Sequence, residues 1–258
     1  LSSLLKQKNH KKITMMTCYD YTFAKILNQT DMDILLVGDS LGNVVAGHET
    51  TVPVTLEDMI YHTRAVKRGA DNPFILADMP FMSYQISVQE GLRNAGRLMK
   101  EGLADGVKLE GGEEIADLVY RLSKIGIPVV GHLGLQPQSV HQLGGFRVVG
   151  KKPEEAKKLL KDAKMLEEAG AFCVVLELVP SALAQQISQE INILTVGIGS
   201  GPHCDGQVLV FADALGLTPN NFKHNKKYLN LFQDCQNAFN QYIKEVEEGS
   251  FPALENCF

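Results

Sequence analysis

The chain has 258 residues, 45% of them hydrophobic. Its 25 basic and 30 acidic residues leave a net charge of −5, which allows an adequate core and excludes a polycationic nucleic-acid surface. The five cysteines are scattered, without C-x-x-C spacing, no apolar run reaches the ~18 residues of a membrane span, and the opening LSSLLKQKNHKK lacks a signal peptide's apolar stretch. A cytoplasmic protein with reduced thiols and no membrane partner is expected; because the chain begins at Leu1 and not at Met, further residues are expected ahead of it.

Apolar runs of strand length follow in chain order. They are 13–20 (ITMMTCYD), 33–40 (DILLVGDS), 73–80 (PFILADMP), 105–112 (DGVKLEGG), 127–135 (IPVVGHLGL), 172–180 (FCVVLELVP), 192–201 (NILTVGIGSG) and, less regularly, 206–216 (GQVLVFADALG). Helical spacing occupies 22–30, 56–69, 87–101, 113–125, 153–169 and 180–190. Ser87 with Glu90 reads as a capping box, and Pro153 followed by Glu154 and Glu155 as a first helical turn. Continuously apolar strands alternating with helices describe a parallel sheet covered on both faces. The predicted fold is α/β, a single (β/α)₈ TIM barrel domain over 1–258 with a C-terminal helical arm over 225–258; an open doubly wound sheet is the alternative.

Polar residues interrupt these strands at one end. Asp20, Asp39 with Ser40, Asp78, Lys108 with Glu110, His132 and Glu177 all fall in the C-terminal half of an apolar run. In a barrel those ends form the face where active sites are built. Lys108 and Glu110 are two apart, so on a strand they share a side. Each residue has a structural alternative: a helix cap for Asp39 or Asp78, a buried ion pair for Lys108 and Glu110, a hydrogen-bonded core imidazole for His132. Caps account for one or two positions and leave the set unexplained. Carboxylates ~5 Å apart repel by about 3 kcal/mol per pair at an effective dielectric near 20. Several converging beside one lysine need a cation or raised pKa values, and oxygen donors without a Cys/His cluster favour Mg²⁺ over zinc.

The stretch LLVGDSLG also contains G-x-S-x-G and GDSL, two serine-hydrolase signatures that would make Ser40 a nucleophile. A nucleophile elbow needs a helix directly after the serine, and residues 41–54, with two glycines, a proline and β-branched residues, do not read as one. The GDSL group needs a D-x-x-H, and the chain has none. Asp39 as a metal ligand with Ser40 as a neighbouring donor is the better account.

The blocks MMTCYDYTFAKI, DILLVGDSLGNVVAGHETTVPVTLEDMIYHTRAVKRG, ADMPFMSY, ADGVKLEGG, IPVVGHLGLQPQSV, GGFRVVGK, VLELVP and VGIGSGPHCDGQVLV, in this order, resemble the ketopantoate hydroxymethyltransferase family. The resemblance implies a (β/α)₈ barrel that transfers a hydroxymethyl group from 5,10-methylenetetrahydrofolate to 3-methyl-2-oxobutanoate, giving 2-dehydropantoate for pantothenate synthesis. It implies Mg²⁺ on Asp39, Asp78 and Glu110, substrate contacts from Asp39, Ser40, Asp78 and Lys108, and Glu177 as proton acceptor. His132 is expected to orient metal water or substrate, and 46–54 (AGHETTVPV) to serve as a lid. The family implies a homo-oligomer, often a decamer, and supplies no short folate signature. A related Mg²⁺-dependent barrel that cleaves or forms other C–C bonds of 2-oxo acids is the rival enzyme reading, and a catalytically dead scaffold is the non-enzyme one.

Overall fold

A computed structural model describes residues 1–139, 145, 147–218 and 222–258. Val140, Gly144 and Phe146 of the quoted family blocks lie outside the described residues. The strands are β1 (Ile13–Thr17), β2 (Ile34–Val37), β3 (Phe74–Asp78), β4 (Gly106–Glu110), β5 (Val129–Gly134), β6 (Cys173–Glu177), β7 (Leu194–Ile198) and β8 (Gly206–Leu209). They close in sequence order into an all-parallel barrel, β8 pairing with β1. The predicted (β/α)₈ architecture therefore holds. Most strands are shorter than their apolar runs because the final two or three residues turn out of the ladder to build the mouth. β5 loses only Leu135 at that end, and β8 stops at Leu209, seven residues before its run ends.

Helices follow most strands, and their starts obey local capping chemistry. After α1 (Ser2–Leu5), α2 (Tyr21–Leu27) is capped by Asp20, whose side chain accepts from Phe23 N. Asp20 is thus a cap and leaves the candidate site. A one-turn α3 (Leu41–Val44) precedes α4 (Leu56–Gly69), which opens on a complete Thr55/Asp58 capping box. The expectation of no helix directly after Ser40 is corrected by α3: its turn is stabilised by packing, with Val54 and Thr51 folding back against Gly42, where a Cβ would meet Val54 at 2.7 Å. Segment 46–54 is therefore partly anchored. Ser87 accepts from Glu90 N at the start of α5 (Val88–Lys100), as expected. Then come α6 (Ala116–Lys124), α7 (Pro153–Glu168) with Pro153 in its first turn, and α8 (Ser181–Glu190).

Two departures concern the outer ring. Residues 199–205, all described, join β7 to β8 without a helix. This loop covers β7 itself: Cys204 Sγ lies 3.1 Å from where a Gly197 Cβ would stand, and Asp205 accepts from Thr195 N and Oγ1. The outer residues Thr14 of β1 and Gln207 of β8 are exposed, so the sheet is not covered on both faces there. The interior is filled by inward residues at period two, Ile13 and Met15, Ile34 and Leu36, Leu76, Val130, Cys173 and Val175, Leu194 and Val196, and Val208, with Leu4 of α1 packed in the same cluster.

The chain divides into two compact units, Leu1–Leu209 and Val210–Phe258. In the second, α9 (Phe211–Ala214) replaces the end of the predicted eighth strand, and α10 (Leu231–Glu247) forms most of the expected arm. Buried Asp213 accepts from Thr218 Oγ1 and Asn225 Nδ2, and Tyr228 N and Leu231 N donate to Ala214 O and Leu215 O. Phe232, Phe239, Tyr242, Ile243 and Val246 of α10 are exposed at helical spacing.

Candidate active site

On β3 to β6 the inward period-two rows of the barrel do not end in apolar residues. On β3 the row Phe74, Leu76 ends in Asp78. On β4 it ends in Lys108 and Glu110, on β5 Val130 leads to His132, and on β6 Cys173 and Val175 lead to Glu177. The register sets Asp78 beside Lys108, Glu110 beside His132, and Gly134 beside Glu177. Parallel pairing alone therefore brings five ionisable groups to one mouth. Asp39 and Ser40 arrive from the turn after β2, where Gly38 is required: a Cβ would stand 2.7 Å from Ser40 Oγ and 3.5 Å from Asp78 Oδ2.

Asp39, Asp78, Lys108, Glu110 and His132 are all buried. Lys108 Nζ lies 2.8 Å from Asp78 Oδ1, and Asp78 Oδ2 accepts from Asp39 N at 3.1 Å. His132 Nδ1 is 3.5 Å from Glu110 Oε1 and its Nε2 is 3.2 Å from Glu177 Oε2. Ser40 Oγ is 2.7 Å from Tyr19 OH, so its neighbour is a phenol and not a histidine.

Burial, then the Asp78 and Glu110 charges, pushes Asp39 up to about 8 against Lys108 and Gln138. Burial raises Asp78 as well, against the pull of Lys108. Burial works to lower Lys108, but Asp78, Glu110 and Asp39 outweigh it and raise the ammonium's pKa. Burial and Lys108 lower His132, and hydrogen bonds to Glu110 and Glu177 outweigh them, carrying it up to about 9. Negative charge is in excess.

Lys108 Nζ also lies 3.2 Å from His132 Nδ1. A proton on Nδ1 would set two donors against each other. The complementary arrangement has Lys108 donating to Nδ1 and Nε2–H donating to Glu177. It needs a neutral ring, whereas the carboxylates by themselves favour the imidazolium; a cation among them would remove that pull. The donor set fits a hard cation on these grounds. Among the described residues no three His, Cys, Asp or Glu side chains form a ready-made metal cluster.

Three participants had no place among the predicted site residues. Gln138 donates from Nε2 to Asp39 Oδ2 at 2.9 Å and from its backbone N to Glu110 Oε2 at 3.1 Å. Tyr84 OH donates to Gln138 Oε1 at 2.9 Å and accepts from Glu110 N at 3.1 Å. Tyr19 continues the inward row of β1 and meets Ser40. Tyr84 and Gln138 lie inside the family blocks ADMPFMSY and IPVVGHLGLQPQSV, and no local pattern marks them.

A closed parallel barrel with its ionisable groups at the C-terminal mouth defines a TIM-barrel enzyme. Solved structures with this fold include a 2,3-dimethylmalate lyase of the PEP mutase/isocitrate lyase superfamily (TM-score 0.60, 16% identity, covering 98% of this chain and 86% of that one). Another is a phosphonopyruvate hydrolase in complex with oxalate and Mg²⁺ (TM-score 0.63, 10% identity, covering 99% and 92%). These likenesses concern the fold alone. The model of the ketopantoate hydroxymethyltransferase family matches residues 1–254. The 3-methyl-2-oxobutanoate hydroxymethyltransferase of Syntrophus aciditrophicus is 56% identical over 98% of this chain and 93% of its own length. That of Enterococcus faecalis is 55% identical over 96% and 91%. The chain belongs to the ketopantoate hydroxymethyltransferase family.

Proposed function

We propose that the enzyme transfers a hydroxymethyl group from 5,10-methylenetetrahydrofolate to 3-methyl-2-oxobutanoate, giving 2-dehydropantoate and tetrahydrofolate with consumption of one water. Asp39, Asp78 and Glu110 would hold Mg²⁺, an ion that keeps several waters and takes one or two protein carboxylates together with substrate oxygens, so a ready-made three-ligand cage is not required. When bound, the ion supplies Lewis-acid polarisation of the 2-oxo group. Lys108, fixed by Asp78, neutralises the substrate carboxylate, and Ser40, held by Tyr19, donates a hydrogen bond to it.

Glu177 takes the proton from C3. The observation that carries this role is its openness: the Glu177 side chain is 20% exposed, against 4% for Glu110 and 5% for Asp78. It can therefore reach a substrate carbon that the buried acids cannot. His132 Nε2 stands 3.2 Å from Glu177 Oε2, beside that carboxylate. Over the whole reaction the enolate carbon bonds to the folate methylene carbon, and both methylene–nitrogen bonds break. The water supplies the new hydroxyl on that carbon, and the C3 proton and the second water proton end on the two folate nitrogens. Water exclusion by 46–54 belongs to the same reading.

The protein is further proposed to work in the cytoplasm as a homo-oligomer, a decamer by family resemblance. The exposed apolar row of α10 and the uncovered outer residues of β1 and β8 support surfaces for other copies, and the free cysteines support a reducing compartment. Among the described residues no helix is long and apolar enough to cross a membrane.

The test is Mg²⁺-dependent formation of 2-dehydropantoate from the two substrates. Failure of the reaction, with cleavage of another 2-oxo acid in its place, would transfer the site to the lyase reading.

A further inference from the structure

Gln138 sits in the single 3₁₀ turn Pro137–Ser139 just beyond β5 and is 5% exposed. Every hydrogen-bonding position of its side chain is used. Nε2 donates to Asp39 Oδ2 and to Met79 O, both at 2.9 Å. Oε1 accepts from Tyr84 OH at 2.9 Å and from Gln85 Nε2 at 3.1 Å. A flipped amide would face its oxygen to a carboxylate and a carbonyl and its NH₂ to two donors, so only one orientation is compatible with the partners. The backbone N of the same residue donates to Glu110 Oε2 at 3.1 Å. One residue therefore grips one oxygen of each of two acids on different strands, Asp39 after β2 and Glu110 on β4. The other Glu110 oxygen, Oε1, lies 3.5 Å from His132 Nδ1.

We propose that Gln138 is a positioning residue that sets the Asp39 and Glu110 carboxylates in the geometry that receives the cation and the keto acid, with Tyr84 locking the orientation of its amide. Nothing in its chemistry is suited to bond making; it acts through the two acids. Outer partners of this kind orient the ligand oxygens, and their loss typically costs 10–100-fold in metal affinity or activity. The inference rests on the function proposed above and deepens it.

The experiment uses the full chain and Mn²⁺ alone as an oxygen-seeking stand-in for Mg²⁺. Mn²⁺ binding to the substrate-free enzyme is followed by electron paramagnetic resonance, beside kcat, the KM for 3-methyl-2-oxobutanoate and thermal unfolding. Gln138→Leu and Gln138→Glu are expected to weaken Mn²⁺ by about 10–100-fold and to raise KM. Excess Mn²⁺ should recover much of kcat in Gln138→Leu. If either variant fails to fold, Tyr84→Phe, which keeps the ring packing and removes only the lock, is expected to weaken Mn²⁺ by roughly three- to ten-fold with an unchanged unfolding midpoint, the smaller end of such outer-partner effects. Wild-type Mn²⁺ affinity and wild-type KM in the folded variants overturn the positioning role while the proposed function stands. A wild-type enzyme that neither binds Mn²⁺ nor forms 2-dehydropantoate overturns both.

Discussion

The two ends of the barrel both carry buried or half-buried carboxylates, and they treat them in opposite ways. At the N-terminal end, Asp33, Asp105 and Asp205 stand immediately before β2, β4 and β8. Each accepts a backbone N–H from the preceding strand: Thr14 N to Asp33, Ile75 N to Asp105 and Thr195 N to Asp205. Side chains fill the remaining positions, with Gln7 and Thr14 on Asp33, Lys67 on Asp105 and Lys8 on Asp205. Burial would raise Asp33, but the hydrogen bonds from Thr14 and Gln7 prevail and hold it below the ordinary carboxylate range. At the C-terminal end, Asp39 and Asp78 are raised, Asp39 because its neighbours after burial are other acids. A carboxylate surrounded by donors is a clasp. One surrounded by carboxylates is half of a binding site.

The largest effect is expected where the contrast meets chemistry. Glu177→Gln should lose about 10²–10⁴-fold in rate while retaining metal and keto-acid binding. Exchange of the C3 hydrogen with solvent deuterium, followed by NMR without folate, checks it; wild-type exchange would move the base elsewhere, with His132 next.

Asp39→Asn and Glu110→Gln should weaken the metal by more than the roughly 10–100-fold typical of outer partners. In metal-free protein, however, Asp39→Asn should raise the unfolding midpoint, by about 2–4 °C per kcal/mol of relieved repulsion. Its pH dependence carries the sign. With a folded pKa of about 8 against about 3.9 in the unfolded chain, only the unfolded state ionises freely as pH rises from about 4 to about 8, so metal-free stability should fall over that window. Saturating Mg²⁺ should flatten the fall. A metal-free midpoint that rises from pH 5 to pH 8 would contradict the excess of negative charge.

Ser40→Ala removes one hydrogen bond to a charged group, worth about 1.5–3 kcal/mol, and should cost roughly ten- to a hundred-fold in kcat/KM. Fluorophosphonate should not label Ser40; stoichiometric labelling with loss of activity would restore the hydrolase reading.

Asp33→Asn should have the smallest effect on turnover, none per folded molecule, with a stability loss of about 1–2 kcal/mol from its broken clasp. Because its folded pKa is lowered, the stabilisation it provides is present above about pH 4 and disappears as pH falls through the folded value. Opposite slopes for Asp33→Asn and Asp39→Asn in midpoint-against-pH curves would sharpen the contrast between the two ends. Equal slopes would erase it.

Much of the fold was legible because barrel strands announce themselves. The runs around Leu35, Ile75, Val107, Val130 and Val175 are apolar on both faces, as strands under helices must be. The acids at their ends stood out because an uncompensated charge in such a run is costly. Helix α3 was not legible, since its turn is held by Val54 packing on Gly42 and not by its own propensity. The lack of a helix between β7 and β8 was legible, since only four residues separate the runs 192–201 and 206–216; that 199–205 covers β7 itself was not.

The sequence by itself determined which residues point into the barrel, because side chains alternate with period two whatever the surroundings. That alone places Asp78, Lys108, Glu110, His132 and Glu177 on the inner surface. Only the tertiary structure decided which of them touch, since strand register and closure govern that, and it alone showed the partners from loops. Gln138 lies 99 residues from Asp39 and 28 from Glu110. A polar glutamine in a turn carries no signal until folding removes its water and leaves those carboxylates, Tyr84 OH, Gln85 and the Met79 carbonyl to satisfy it.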